Sequence, residues 1–578
     1  MANTALFETL PASAETFMDW TWQQIAPFYD DLTSRTLTAE NVDAWLADWS
    51  RLASLLDETD VRFTIATTTN TADEDADRRY TAFLDGIRPQ MLAAEQRVKE
   101  HLLATGLEPQ GFAVPLRKLR ADADLFREAN SAPLSEWRKQ SVEYEKIAGA
   151  WQVEWEGATV PFVQLYAVLE EPDRDRRERA WKAMYARILA DDAAVADLWR
   201  RMITTRQQIA VNAGFGDYRA WRWRQLYRFD YTPDDAKQFH AAIEEVAVPA
   251  ASRIYARRKQ QLGVPTLRHW DVFVDPLNRP PLRPYATMEQ LETGVSAIFR
   301  QVDPQFSAYF ETMRAERLLD LDSRANKAPG GYSLALNAVG RPFIFTNAIG
   351  THGDVQTLLH EGGHAFHAFE MAPLPYLQLK QEQMLPMEYL EVPSTAMELL
   401  GSPYLTTAYG GFYSEAQAAR ARLDTLNGII TFWPYMAMVD ALQHWVYEHP
   451  DEGADLARCD DYWAELVDRY WPDLDWSGIE REKRGYWRQQ SHIFTDPFYY
   501  IEYGMAQLGA AQIWANMQRD PREAVAAYRR SLTLGGSATL PELYNAAGAR
   551  FAFDADTLRQ AIDLLEATIT ELEPLAQS

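Results

Sequence analysis

Apolar positions recur every three or four residues along most of this chain. Between residues 177 and 212, Trp181, Met184, Ile188, Val195, Leu198, Met202 and Ile209 keep that spacing. The spacing puts them on one face of a helix and predicts that this face is buried. Gly214 and Gly216 follow, where a helix can end in a residue of positive φ. The pattern returns over residues 232–262, with Thr232 as a cap and Pro233 and Asp234 in the first turn. Residues 541–547 and 556–572 read as closing helices. The chain is expected to be mainly α.

One region breaks the helical pattern. Gly330, Gly331 and Tyr332 open a β-prone run to Asn337, and a second run covers residues 342–347. The short stretch Ala338-Val339-Gly340 between them makes the pair a predicted hairpin. No repeat, low-complexity segment or linker rich in Pro, Gly or Ser divides the chain, so its domain boundaries are soft.

With 578 residues the chain is long enough for several domains and a large core. Its 57 basic and 83 acidic side chains leave a net charge of −26, which argues against nucleic acid or an anionic membrane as the main partner. Cys459 is the only cysteine, so no intrachain disulfide can form, as expected of a protein from a reducing compartment. The N-terminal residues lack the basic start and apolar run of a secretory signal. The most apolar stretch, residues 428–446, is interrupted by Pro434, Asp440, Gln443 and His444 and does not read as a membrane span. The default expectation is a cytoplasmic protein.

The chemistry concentrates in His360-Glu361-Gly362-Gly363-His364, an H-E-x-x-H motif. Thr351 to Asp354 offers a cap, so both histidines fall on one predicted helix. Positions four apart differ by about 40° around a helix axis and about 6 Å along it, so two imidazoles can converge on one zinc ion. Glu361, one residue on, points aside, where it can reach a water on such an ion rather than the ion itself. A third protein ligand is required. The candidates are His367, Glu370, Glu382, Glu388, Glu391 and Glu398. His367 lies about 10 Å along the axis from His360 and reads as a packing neighbour.

The run from Leu359 to His367, followed by Tyr389-Leu-Glu-Val-Pro-Ser-Thr-Ala-Met-Glu398, resembles the oligoendopeptidase F and thimet oligopeptidase family of zinc peptidases, closest to the oligoendopeptidase F branch. The resemblance implies that Glu391, 27 positions past His364, is the third ligand of one Zn2+ per chain, with Pro393 in a first helical turn. It implies that Glu398 orients a histidine ligand. It implies that the hairpin of residues 327–347 docks an extended peptide beside the zinc. Residues 491–504 resemble the family's His and Tyr segment, which implies that His492, Tyr500 and Tyr503 stabilise the transition state, while Tyr499 is expected to pack into the core.

The family also implies a two-lobed, mostly helical metallopeptidase with a deep substrate channel and a small β-sheet beside the zinc. Residues 1–195 would form an N-terminal helical lobe and residues 196–578 the catalytic domain. The expected activity is hydrolysis of internal bonds in short unstructured peptides, by a zinc-activated water with Glu361 as general base. The alternatives are a dipeptidyl carboxypeptidase or carboxypeptidase on the same zinc site and, remotely, a non-catalytic peptide-binding protein.

Overall fold

Helices dominate the structure, a computed structural model that describes residues 4–577. Helix α1 (Val42–Thr69) is the spine of a first core, in which Trp45, Trp49, Leu52 and Leu56 pack with Phe28, Leu102 and Leu116. Leu377, Leu379 and Met384, from far along the chain, complete it. Hydrogen bonds pin that segment in place. The Leu377 N–H donates to Ser50 Oγ and the Lys118 ammonium to the Met384 carbonyl, each at 2.6 Å. The segment lies between the HExxH motif and Glu391, so the first core is tied to the chain that joins them.

The stripe of residues 177–212 lies in a second, larger core, and each of its seven apolar members is at most 1% exposed. It spans two helices rather than one, α2 (Arg174–Ala190) and α3 (Asp192–Asn212). Asp191 breaks them, with its carboxylate accepting from the Trp151 indole at 3.0 Å and from Arg187 at 2.8 Å. A polar anchor at the surface can interrupt a helix without disturbing the apolar period beneath it. Gly214 takes a φ of +83°, as its place after α3 predicts, whereas Gly216 does not enter that region.

Thr232 caps its helix through a reciprocal bond with Asp235. The expected single helix to residue 262 widens into a π turn at Ile243–Ala247. Pro249 explains the bulge: it has no N–H, and its ring crowds the carbonyl four residues back. Leu540–Ala546 and Ala555–Leu575 close the chain. Among the described residues, no helix is long and apolar enough to cross a membrane.

The sheets are small. A hairpin of β1 (Gln152–Trp155) and β2 (Ala158–Pro161) was not expected from the sequence. Its turn puts Glu156 and Gly157 at φ +49° and +89°, the left-handed pair of a tight hairpin turn. Only Val153 is buried among its eight strand residues, so alternation was too faint to read. The predicted hairpin forms as β4 (Tyr332–Leu336) and β5 (Arg341–Ala348), paired antiparallel. A third strand, β3 (Leu319–Asp322), runs parallel to β5 and makes it the central strand. The side chain of Glu58 in α1 accepts from the N–H groups of Ala338 and Val339 at 2.8 and 3.0 Å, holding the hairpin turn against the first core.

Candidate active site

Helix α4 (His352–Met371) carries the HExxH motif. Its start is fixed twice. Thr351 and Asp354 form a capping box, and the Tyr285 hydroxyl donates to the Asp354 carboxylate at 2.6 Å. Along the helix, His360 and His364 turn to one side with ring centroids 5.0 Å apart. Glu361 faces another way and is only 7% exposed. A methyl group built on Gly331, at the entry to β4, would come within 3.8 Å of Glu361 Oε1. The edge strand therefore begins beside this carboxylate.

Helix α5 (Met387–Gly401) brings Glu391 and Glu398 across from α4. The two helices meet backbone to backbone, which is why the motif contains glycines. A Cβ at Gly363 would lie 2.5 Å from the Pro393 carbonyl oxygen, and one at Gly362 would lie 2.4 Å from the Phe299 ring. Gly363→Ala is expected to force α4 and α5 apart, lowering stability by about 3 kcal/mol and moving Glu391 from the histidines. Thermal melts and metal content together check this, and wild-type values for both would sink it. The sequence puts Pro393 in a first helical turn, whereas the structure places it inside the helix. A proline there cannot donate to the carbonyl four residues back, and its own carbonyl accepts from the Tyr528 hydroxyl at 2.9 Å.

One side-chain atom each of His360, His364 and Glu391 lies within 4.8 Å of the others. Glu391 Oε2 is 3.2 Å from His360 Nε2 and 3.5 Å from His364 Nε2. Three donors on one tetrahedral ion, each at its ordinary bond length, sit about 3.3 Å apart. The donor set fits a small divalent cation. Glu398 Oε1 lies 2.8 Å from His360 Nδ1, which holds the Nδ1 proton and leaves Nε2 free to coordinate. Ser394 Oγ donates to Glu391 Oε2 at 3.0 Å.

The electrostatics agree with this fit. Burial works against charge on His360, yet Glu391 and Glu398 overrule it and hold the imidazole up at about 10. Burial likewise opposes charge on Glu391, and the two histidines keep its carboxyl well below the usual range. Positive charge among the three donors is favoured, which is what a cation supplies. Burial raises the carboxyl of Glu361, with His364 and His360 pulling it down.

The other third-ligand candidates go elsewhere. His367 is buried against Tyr389, and burial lowers its pKa to about 3. Glu370 pairs with Arg529 at 2.7 Å, while Glu388 accepts from Arg228 at 3.1 Å and from Tyr231 at 2.8 Å. Glu382 lies outside the three-donor cluster, its carboxyl raised by burial.

A cleft of about 550 Å³ opens from His360, Glu391 and Glu398. Helix α6 (Glu415–Glu448) lines it with Gly428, Ile429 and Phe432. Past α6, α7 (Ser491–Thr495) contributes His492 to the same cleft, and α8 (Ile501–Arg519) contributes Tyr503, with Tyr500 at its N-cap beside them. The turn between them puts Phe498 at a φ of +67°, a strained setting for a bulky residue, costing on the order of 1 kcal/mol or more. Packing over-determines it: the ring is fully buried, its N–H donates to Gln443 at 2.7 Å, and its carbonyl accepts from Arg228 at 2.5 Å.

Tyr499 departs from expectation. It is half-buried rather than a core residue, stacks on His492 with centroids 5.8 Å apart, and meets the Tyr503 ring at 5.5 Å. The left-handed residue before it turns the chain, so helical periodicity from α8 does not apply to Tyr499. Burial raises the hydroxyls of Tyr500 and Tyr503, the latter to about 12, so both stay protonated donors. Burial lowers the pKa of His492 while Asp496 pulls the other way, which favours the neutral ring.

Gln490 and Tyr435 had no signal in the sequence. The Gln490 amide nitrogen lies 2.8 Å from His492 Nδ1, and its oxygen accepts from the Tyr435 hydroxyl at 2.9 Å. With the amide oxygen taken by Tyr435, the NH₂ group donates to Nδ1. The ring proton of neutral His492 then sits on Nε2.

The profile described as peptidase family M3 matches residues 167–562, well over half of the chain. An oligoendopeptidase F homolog of Borreliella burgdorferi is 22% identical over 360 residues, covering 59% of this chain and 57% of that protein. The group B oligopeptidase PepB of Streptococcus agalactiae is 22% identical over 417 residues, covering 71% of this chain and 65% of that one. The match thus spans less than two thirds of the length of these curated relatives. Among solved structures, PZ peptidase A with an inhibitor superposes with a TM-score of 0.82 at 25% identity, over 98% of this chain and 99% of the other. On the profile match above all, this chain belongs to peptidase family M3, a family of metallopeptidases.

Proposed function

We propose that this protein is a zinc-dependent oligoendopeptidase that hydrolyses internal bonds of short unstructured peptides. The observation that carries the reading is the convergence of His360, His364 and Glu391 next to a buried, otherwise unpartnered Glu361 at the mouth of an edge strand. The three donors would hold the zinc; when bound, it would polarise a carbonyl and acidify water. Glu361 takes a proton from the attacking water and returns it to the leaving amine. An extended peptide pairs with β4, which serves binding with little demand on side chains. His492 Nε2–H and a tyrosine hydroxyl, from Tyr503 or Tyr500, donate to the developing oxyanion, each contributing about 3 kcal/mol to the transition state.

The relay from Tyr435 through Gln490 keeps His492 in the donating tautomer. Gln490→Leu is therefore expected to lower kcat about tenfold with little change in KM, read from initial rates on one peptide. An unchanged kcat would remove the relay from the mechanism.

The function is tested with a nonapeptide blocked at both ends and analysed by mass spectrometry. Internal fragments that vanish on chelation and return with zinc support the reading. Cleavage only of the free-ended twin would make the protein an exopeptidase. If neither peptide is cut, the catalytic reading falls.

A further inference from the structure

A second cavity of about 530 Å³ lies next to the cleft, and Gly428 and Phe432 of α6 line both. Its walls are aromatic, with Phe273, Phe432, Tyr435 and Trp471 among them. Asp424 precedes Gly428 and Phe432 by one and two helical steps of four residues, so all three share a face of α6. Asp424 is exposed to the cavity, and it forms no hydrogen bond or ion pair with any described residue.

The other charged groups in the wall are committed. Arg257 pairs with Glu573 at 2.9 Å, and Arg279 pairs with Asp275 at 2.8 Å. Arg258 donates to the carbonyls of Val274 and Val272 at 3.0 and 2.5 Å. An unpaired carboxylate in an aromatic-walled cavity is chemistry for a cation, since ring faces and carboxylate attract the same charge. Protein packed around Asp424 raises its carboxyl to about 6, while Arg420, Arg279 and Arg258 pull it down.

We propose that this cavity is a substrate subsite, in which Asp424 and the aromatic wall receive a cationic group of the peptide, an alkylammonium or guanidinium. The inference rests on the peptidase reading. Asp424 lies about 12 Å along the helix from Phe432, a distance spanned by three to four extended residues. Counted from Phe432 at the shared wall, the cation therefore lies three to four positions farther along the peptide.

The test is a set of neutral nonapeptides blocked at both ends, with one Arg walked along them and a citrulline twin for each. At one or two positions, kcat/KM for the Arg peptide should exceed that of its twin about tenfold, and Lys should match Arg. A free N-terminal amine at that distance, compared with its acetylated form, tells whether the chain terminus is received as well as a side chain. Asp424→Asn should bring the Arg-to-citrulline ratio close to one, and Asp424→Lys should bring it below one. A ratio of one everywhere in the wild type, or a ratio that survives Asp424→Asn, overturns the subsite. If the wild type cuts none of these peptides, the peptidase reading fails and the subsite is judged by binding. Fluorescence anisotropy of a labelled Arg peptide should then show weaker binding to Asp424→Asn than to wild type, and equal affinities would overturn it.

Discussion

Glu361→Gln is expected to keep one metal per chain and to lose at least about a thousandfold in kcat. The side chains are nearly identical in size, so packing beside Gly331 is preserved. Glutamine differs in the one property that matters to this reading: it cannot take up a proton. Glu361 is suited to a base because it is buried at 7% exposure and its oxygens are not engaged by the protein. Burial raises its affinity for a proton relative to an ordinary carboxylate, while His364 and His360 keep it from rising without limit. On the proposed reading, peptide binding by β4 and the cleft would not rely on this group, so KM should move little while kcat collapses. Elemental analysis separates this outcome from loss of the site. Near wild-type activity with metal retained would assign proton transfer to another residue.

What could be read from the sequence depended on how local the causes were. His360 and His364 could be paired because four residues on a helix return to the same side, and Thr351 announced where that helix starts. The stripe of residues 177–212 was legible as a buried face because periodicity reports burial directly. That Glu391, and not Glu370, Glu382 or Glu388, joins the histidines came from resemblance, since spacing alone left all of them open. The structure gives the physical sorting: Arg529 takes Glu370, and Arg228 with Tyr231 takes Glu388.

The misses share an origin in long-range contacts. Pro393 looked like a first-turn residue because prolines usually sit there, whereas the helix begins at Met387 and tolerates the proline deep inside. The sequence places Tyr499 in the core because nothing local announces the left-handed Phe498 before it; buried bonds to Gln443 and Arg228 help to stabilise that turn. Gln490 and Asp424 owe their interest to what lies beside them in space, His492 in one case and an aromatic cavity in the other. Neither belongs to a pattern along the chain.

Glu391→Ala carries the second large expectation, loss of the metal. The carboxylate is the element that makes three donors of two, with its Oε2 lying 3.2 and 3.5 Å from the two imidazole nitrogens. It also neutralises much of the charge that a divalent cation brings into a partly buried site. Removing it leaves two histidines on one helix, which is an incomplete set for a zinc site. The comparison that gives this prediction its force is Glu398→Gln. Among the described residues Glu398 has His360 Nδ1 as its one ion-pair partner, at 2.8 Å, and its loss should weaken metal binding by about 10- to 100-fold through a less well held ring. Glu391→Ala should be weaker still, with no metal surviving dialysis against a chelator that leaves the wild type loaded. Competition titration with a chromophoric chelator ranks the three proteins. If Glu391→Ala bound metal as tightly as Glu398→Gln, the third ligand would have to be sought elsewhere. Glu382 would be the first alternative, because it is close enough to feel both His364 and Glu391.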